Sequence, residues 1–110
     1  MASSKNGVEE ITGNNIEERL ERPLVVIDFF AEWCMPCLMM APVIEELHEK
    51  LKEKVTFFKV NVDDNPEIAK KLKVASIPTL IIFNKGQEKE RLIGSLSADV
   101  IEDKIIRFLE

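Results

Sequence analysis

Cys34 and Cys37 are the only two cysteines in 110 residues, and they stand three positions apart in the stretch Trp33-Cys34-Met35-Pro36-Cys37. Such a pair can close one disulfide and take part in thiol–disulfide exchange, in which the thiolate is the attacking species. A free thiol of pKa about 8.5 is only about 3% ionised at pH 7, so the setting of the attacking sulfur governs its reactivity. The competing reading of C-x-x-C is half of a zinc site. A closed zinc site needs four ligands, usually from a second Cys or His pair, and this chain has one His and no third Cys. Redox chemistry is therefore the favoured reading and no metal ligand is assigned. A zinc or iron–sulfur site shared between two chains is the remoter alternative.

The elements around the pair explain why it would be reactive. An apolar run, Leu24-Val25-Val26-Ile27-Asp28-Phe29-Phe30, leads into the cysteines, and a helix-period segment from Leu38 to Leu51 leads out. The pair thus sits where a strand becomes a helix. A helix N-terminus offers unpaired N–H groups and the positive end of the helix dipole, both of which favour a thiolate. Cys34 is at that end and is expected to attack. Cys37, one turn further in, is expected to be buried as the resolving thiol.

The remaining segments are read in chain order. Val8 to Ile11 is expected to be a short edge strand, and Ile16 with Leu20 a short helix after the turn residues Thr12-Gly13-Asn14. Leu24 to Phe30 is apolar on both faces except for Asp28, the pattern of a central strand covered on both sides. In the next helix Met40, Ile44, Leu47 and Leu51 form a core stripe, Pro42 is expected to bend it, and the Met39-Met40 pair is read as core filler. His48 is read as a partly exposed helix residue. Val55 to Val62 is a strand, Ile68 to Leu72 a short helix after Pro66, and Leu80 to Phe83 a strand. Asn84-Lys85-Gly86 then turns into a strand over Glu88 to Ile93. Ser97 caps a final helix with Val100, Ile101, Ile105, Phe108 and Leu109 on its buried side. The order β-α-β-α-β-α-β-β-α predicts an α/β fold with a mixed sheet between helical layers.

The stretch from Val26 to Cys37, followed by Ala41-Pro42 and much later by Ser76-Ile77-Pro78-Thr79-Leu80, resembles the thioredoxin family. The resemblance runs from about Val8 to the C-terminus. It implies a thioredoxin fold, with a central mixed sheet of about five strands flanked by about four helices on both faces. Residues 7–110 would form one such domain and residues 1–6 a disordered start. It further implies a protein-disulfide reductase in which Cys34 attacks and Cys37 resolves, with no prosthetic group. A more oxidising disulfide oxidase or isomerase sharing the fold is the alternative, and an accessory binding module without turnover is a third class.

The resemblance also assigns roles to single residues. Asp28, near the end of the strand that delivers the cysteines, would exchange a proton with Cys37, and burial would raise its pKa to suit that task. Lys59 on the neighbouring strand would be its counter-charge. Pro78 would be a cis proline facing the disulfide, turning the backbone of Ile77 outward to pair with a substrate strand. Trp33, Met35, Pro36, Ile77 and Gly94 would form an apolar rim around Cys34, with Gly94 allowing close backbone approach. Two positions depart from the family pattern. Met35 stands where Gly is usual between the cysteines, and Leu38 follows Cys37 where Lys is frequent. An absent cation and an added apolar side chain are both expected to raise the pKa of Cys34 relative to the family norm.

Composition sets the outer bounds. A net charge of −5, from 15 basic and 20 acidic residues, provides no basic patch for nucleic acid. No apolar stretch approaches the roughly 18 residues of a membrane span, and the polar start Met1 to Gly7 lacks the apolar core of a secretory signal. The expected setting is a monomer in the cytoplasm, where a lone cysteine pair is more often catalytic than structural. Its expected partners are disulfide-containing target proteins and an electron donor of the thioredoxin reductase type, with no membrane and no nucleic acid.

Overall fold

The computed structural model describes residues 7–109, so the expectation of a disordered start over residues 1–6 lies outside the described residues. Five strands form one sheet in the order β1-β3-β2-β4-β5. They are β1 (Glu9–Glu10), β2 (Leu24–Phe30), β3 (Thr56–Asn61), β4 (Thr79–Asn84) and β5 (Gln87–Ile93). Four α-helices accompany them: α1 (Ile16–Arg19), α2 (Met35–Leu51), α3 (Pro66–Lys71) and α4 (Ala98–Ile106). β2 runs parallel to β3 and antiparallel to β4, which makes the sheet mixed.

β2 is the centre of the sheet and is buried from Leu24 to Phe29. Because strand side chains alternate between faces, its residues divide between two cores. Leu24 and Val26 pack with Met40, Ile44 and Leu47 of α2 and with Ile101 and Ile105 of α4. Val25, Ile27 and Phe29 pack on the other face with Ile16 of α1 and Ile68 of α3. The parity places Asp28 on the α2 side. Lys59 lies directly opposite Asp28 in the β2–β3 register and shares a face with Phe57, which belongs to the α2 core.

α2 is held by a buried stripe of Cys37, Met40, Ile44 and Leu47. The helix begins three residues earlier than the periodicity predicts, because Met35 and Pro36 occupy first-turn positions, where a proline's missing N–H costs nothing. Its helical backbone continues through Pro42. The Met39-Met40 pair splits: Met40 is buried and Met39 is 68% exposed, since adjacent helix residues point about 100° apart. Val100 differs from expectation in the same way, lying exposed beside buried Ile101. His48 is partly exposed, as read.

Other differences are at element ends. β1 pairs with β3 through Glu9 and Glu10, the Ile11 N–H adds a bond to Lys59 O at 2.9 Å, and Val8 and Ile11 flanking the strand are buried. Thr12 makes no side-chain cap bond. The turn it begins is held instead by the Gly13 N–H, which donates to Asn65 Oδ1 at 2.8 Å. The β4–β5 turn has positive φ at both Lys85 and Gly86, the backbone that matches the twist of a two-residue hairpin. Ser97 caps α4 as expected, its hydroxyl accepting the Val100 N–H.

Ile81 is fully buried in the centre of β4, and Ile81→Ala is expected to destabilise the fold by about 2–5 kcal/mol. Val100→Ala, one helical step from an equally buried Ile101, is expected to change stability by no more than about 0.5 kcal/mol. Urea unfolding of the two variants at constant m-value checks this contrast; similar losses in both would contradict the assignment of faces.

Candidate active site

β2 ends at Phe30, and the chain passes through Ala31, Glu32 and Trp33 to Cys34, which is the N-cap of α2. Cys34 and Cys37 are joined by a disulfide, with their Cα atoms 5.2 Å apart. Cys34 has extended backbone, so its sulfur folds back over the first turn and accepts the Cys37 N–H at 3.2 Å. Its own N–H donates to Ala31 O at 3.2 Å, and its carbonyl accepts the Leu38 N–H at 3.1 Å. The sulfur of Cys34 therefore occupies the place that Ser or Asp fills at an ordinary helix start. No acidic side chain lies in the first turn of α2, so the helix itself brings no charge that offsets the positive end of its dipole. Both cysteine residues are only 3% exposed, packed with Ala31 and against Phe30, Val62 and Ile77. Cys37 is buried as expected, and in this bonded state Cys34 is buried to the same extent.

Asp28 is 6% exposed in the α2 face of the sheet, and its Oδ1 is buried without a hydrogen-bond partner among the described residues. Burial raises its pKa from 3.8 to about 7, and the positive charge of Lys59 pulls in the opposite direction. Lys59 is half-buried, with its ammonium 5.8 Å from the centre of the Phe30 ring.

Of the expected rim residues, Trp33, Met35 and Pro36 adjoin the cysteines in the chain and Ile77 packs against them. Trp33 is 71% and Met35 65% exposed. Met35 thus lies mostly in solvent, at the first position of α2. Pro36 is exposed and Ile77 half-buried against the cysteine cluster. The Ile77–Pro78 bond is cis, but Pro78 itself is buried, and its carbonyl accepts the Gly94 N–H at 2.9 Å. Gly94 has φ of +93°, and a Cβ there would meet nothing within 4 Å. The positive φ favours glycine at this position.

Sequence reasoning misses three features. Leu38, Met39 and Ile93 are 51%, 68% and 60% exposed and extend the apolar surface along α2 and β5. The helical offset of Met39 from Met40 is the available signal. Asp63 Oδ2 accepts the Trp33 indole N–H at 2.8 Å. Buried Asn61 supports that contact, its Oδ1 accepting the Asp63 N–H at 2.9 Å.

The state of Asp28 has a consequence for stability. A carboxyl whose folded pKa lies above its unfolded value binds more protons folded than unfolded between the two, so stability falls as pH rises across that interval. The window here runs from about 4 to about 7, and the loss across it is on the order of 4 kcal/mol. Denaturant unfolding at pH 5 and pH 8 is expected to show the wild type weaker at pH 8, with Asp28→Asn removing most of the difference. Equal wild-type stability at the two pH values would contradict a buried, neutralised Asp28.

The thioredoxin family model matches residues 7–107 of the chain. A thioredoxin of Rickettsia bellii is 47% identical over 79 residues, covering 71% of this chain and 75% of the relative. The chloroplastic M-type thioredoxin of Brassica napus is 39% identical over 103 residues, 94% of this chain, and the match spans only 58% of that longer relative. Among solved structures, a mutant thioredoxin from Halobacterium salinarum superposes with a TM-score of 0.88 at 30% identity, covering 97% of this chain and 95% of that one. Among the described residues no helix is long and apolar enough to cross a membrane. Likeness over nearly the whole chain, centred on a bonded cysteine pair at a strand-to-helix junction, means that this protein belongs to the thioredoxin family of disulfide oxidoreductases.

Proposed function

We propose that the protein acts as a reductant of disulfides in target proteins, in a reducing compartment of cytoplasmic type and as a monomer. The observation that carries the reading is the Cys34 sulfur at the N-cap of α2, within hydrogen-bonding distance of a first-turn N–H. In the reduced protein that position favours the thiolate of Cys34 over that of Cys37. The Cys34 thiolate attacks one sulfur of the target disulfide; an S–S bond forms to Cys34, the target S–S bond breaks, and the departing thiolate takes up a proton. Cys37 then loses its proton to Asp28 and attacks Cys34 Sγ. The mixed disulfide breaks, the second target thiol leaves, and the target has gained two electrons as the Cys34–Cys37 bond closes. An electron donor of the thioredoxin reductase type restores the dithiol.

The other residues act in support. Asp28 suits the proton exchange because its pKa, about 7 through burial, makes it neither a permanent anion nor a permanent acid near neutrality. Lys59 limits how far Asp28 is neutralised. Trp33, Met35, Pro36 and Ile77 supply the apolar surface that receives the target segment. Pro78 and Gly94 fix the backbone beside it through their hydrogen bond. The absence of an acidic residue in the first turn leaves the thiolate stabilised although Leu38 provides no cation.

Cys37→Ala is expected to accumulate covalent mixed disulfides with target proteins, while Cys34→Ala traps none; non-reducing gels after acid quench read both. Trapping by both to the same extent, or by neither, would contradict the order of attack. Asp28→Asn is expected to slow resolution of the mixed disulfide on the order of 10²-fold near pH 7, measured by stopped-flow Trp33 fluorescence; an unchanged rate would remove Asp28 from the mechanism.

A further inference from the structure

Among the described residues, Glu32, Asp63 and Asp64 are exposed carboxylates bordering the cysteine rim. Trp33, Met35, Leu38, Met39 and Ile93 leave between 51% and 71% of their surface in solvent. The only charged residue between Ala31 and Val43 is Glu32, and there is none from Val74 to Phe83 or from Leu92 to Ala98. Glu32 is exposed next to Trp33. Asp63 is held against the Trp33 indole at 2.8 Å, and exposed Asp64 follows it. Asn61 Oδ1 fixes this turn by accepting N–H bonds from both Asp63 and Asp64, at 2.9 and 3.4 Å.

The cations of the neighbourhood do not balance these carboxylates. Lys59 is half-buried beside Asp28 in the sheet. Arg91, two residues before Ile93, makes two hydrogen bonds to the Glu88 carboxylate, at 2.8 and 2.9 Å, and others to the carbonyls of Leu72 and Lys73. Lys73 stands four residues from Ile77, whereas Asp63 touches the rim itself. An apolar surface edged by anions that form no salt bridge among the described residues, on a chain of net charge −5, matches a partner segment of apolar and basic composition.

We propose that the rim selects target disulfides flanked by apolar and cationic residues and disfavours those flanked by carboxylates. The proposal rests on the reductant reading above and names the substrate class of that same site. It concerns exposed charges, so the preference belongs mainly to association and is sensitive to salt.

The test uses two disulfide peptides that share Leu and Phe flanks and differ only in carrying Lys or Glu beside the cysteines. Reduction by the full-length protein is followed under steady state with the reductant in excess. Each kcat/KM is divided by the rate constant for a small uncharged dithiol, which removes the intrinsic reactivity of each disulfide. The normalised Lys-to-Glu ratio is expected to be roughly 3 to 10 at low ionic strength. It should fall toward one near 1 M salt, where the Debye length is about 3 Å. The triple variant Glu32→Gln/Asp63→Asn/Asp64→Asn, in which an amide oxygen at position 63 can still accept the Trp33 indole N–H, is expected to lose most of the preference. A wild-type ratio of one or less overturns the proposal while leaving the reductant reading intact. A ratio that the triple variant leaves unchanged overturns the origin of the preference in the rim. Reduction of neither peptide overturns the reductant reading and this one with it.

Discussion

The hydrogen bond from the Cys37 N–H to the Cys34 sulfur, 3.2 Å long at the start of α2, is the contact on which the rest of the structure turns. It requires a sulfur at the N-cap, and therefore a strand that ends three or four residues earlier and a helix whose first turn is rigid. β2 meets the first demand because it is the central strand, buried on both faces. The buried stripe of Cys37, Met40, Ile44 and Leu47 meets the second by fixing the rotation of α2 on the sheet. That rotation also decides what remains outside. With Cys37 turned inward, Met35, Leu38 and Met39 are left on the solvent side as a continuous apolar surface. The same packing thus stabilises the helix and exposes this apolar face.

Asp28 shows the opposite balance between stability and chemistry. Six of the seven residues of β2 are apolar, and the exception is a carboxyl on the face toward α2 with one oxygen unpartnered among the described residues. Burial of such a group is unfavourable for its charged form, and the protein responds by holding it near neutrality with a pKa of about 7. Lys59, directly across the β2–β3 register, prevents a larger shift. A purely structural residue at this position would be another Val or Ile. The energetic burden is understandable if the carboxyl moves a proton at the same pH at which the thiols must exchange.

Much of this is legible in the sequence because two periodicities carry it. Alternation marks β2 and β3 as strands and the helical period places Ile44 and Leu47 inside, whereas the facing of Asp28 and Lys59 rests on a strand register that alternation does not set. Where a single step of a helix matters, the pattern misleads. Met39 and Val100 group with buried neighbours in the sequence although each lies about 100° away from one. The start of α2 is hidden because Met35-Pro36 has no apolar period, and the turn is helical only through its cap and the stripe beyond it. The Trp33–Asp63 bond joins residues 30 positions apart, so no local pattern announces it. At Gly94 the glycine itself is conspicuous, but its cause is a positive φ that only the fold reveals.

The central claim is that the N-terminus of α2 makes Cys34 the nucleophile. Its most direct measurement is the pKa of Cys34 in the reduced protein, from the pH dependence of alkylation by iodoacetamide with the modified residue identified by mass spectrometry. The account predicts that Cys34 is alkylated first, with a pKa between about 7, as in the family, and the unperturbed value of about 8.5. A pKa at or above about 8.5, or preferential alkylation of Cys37, would contradict it.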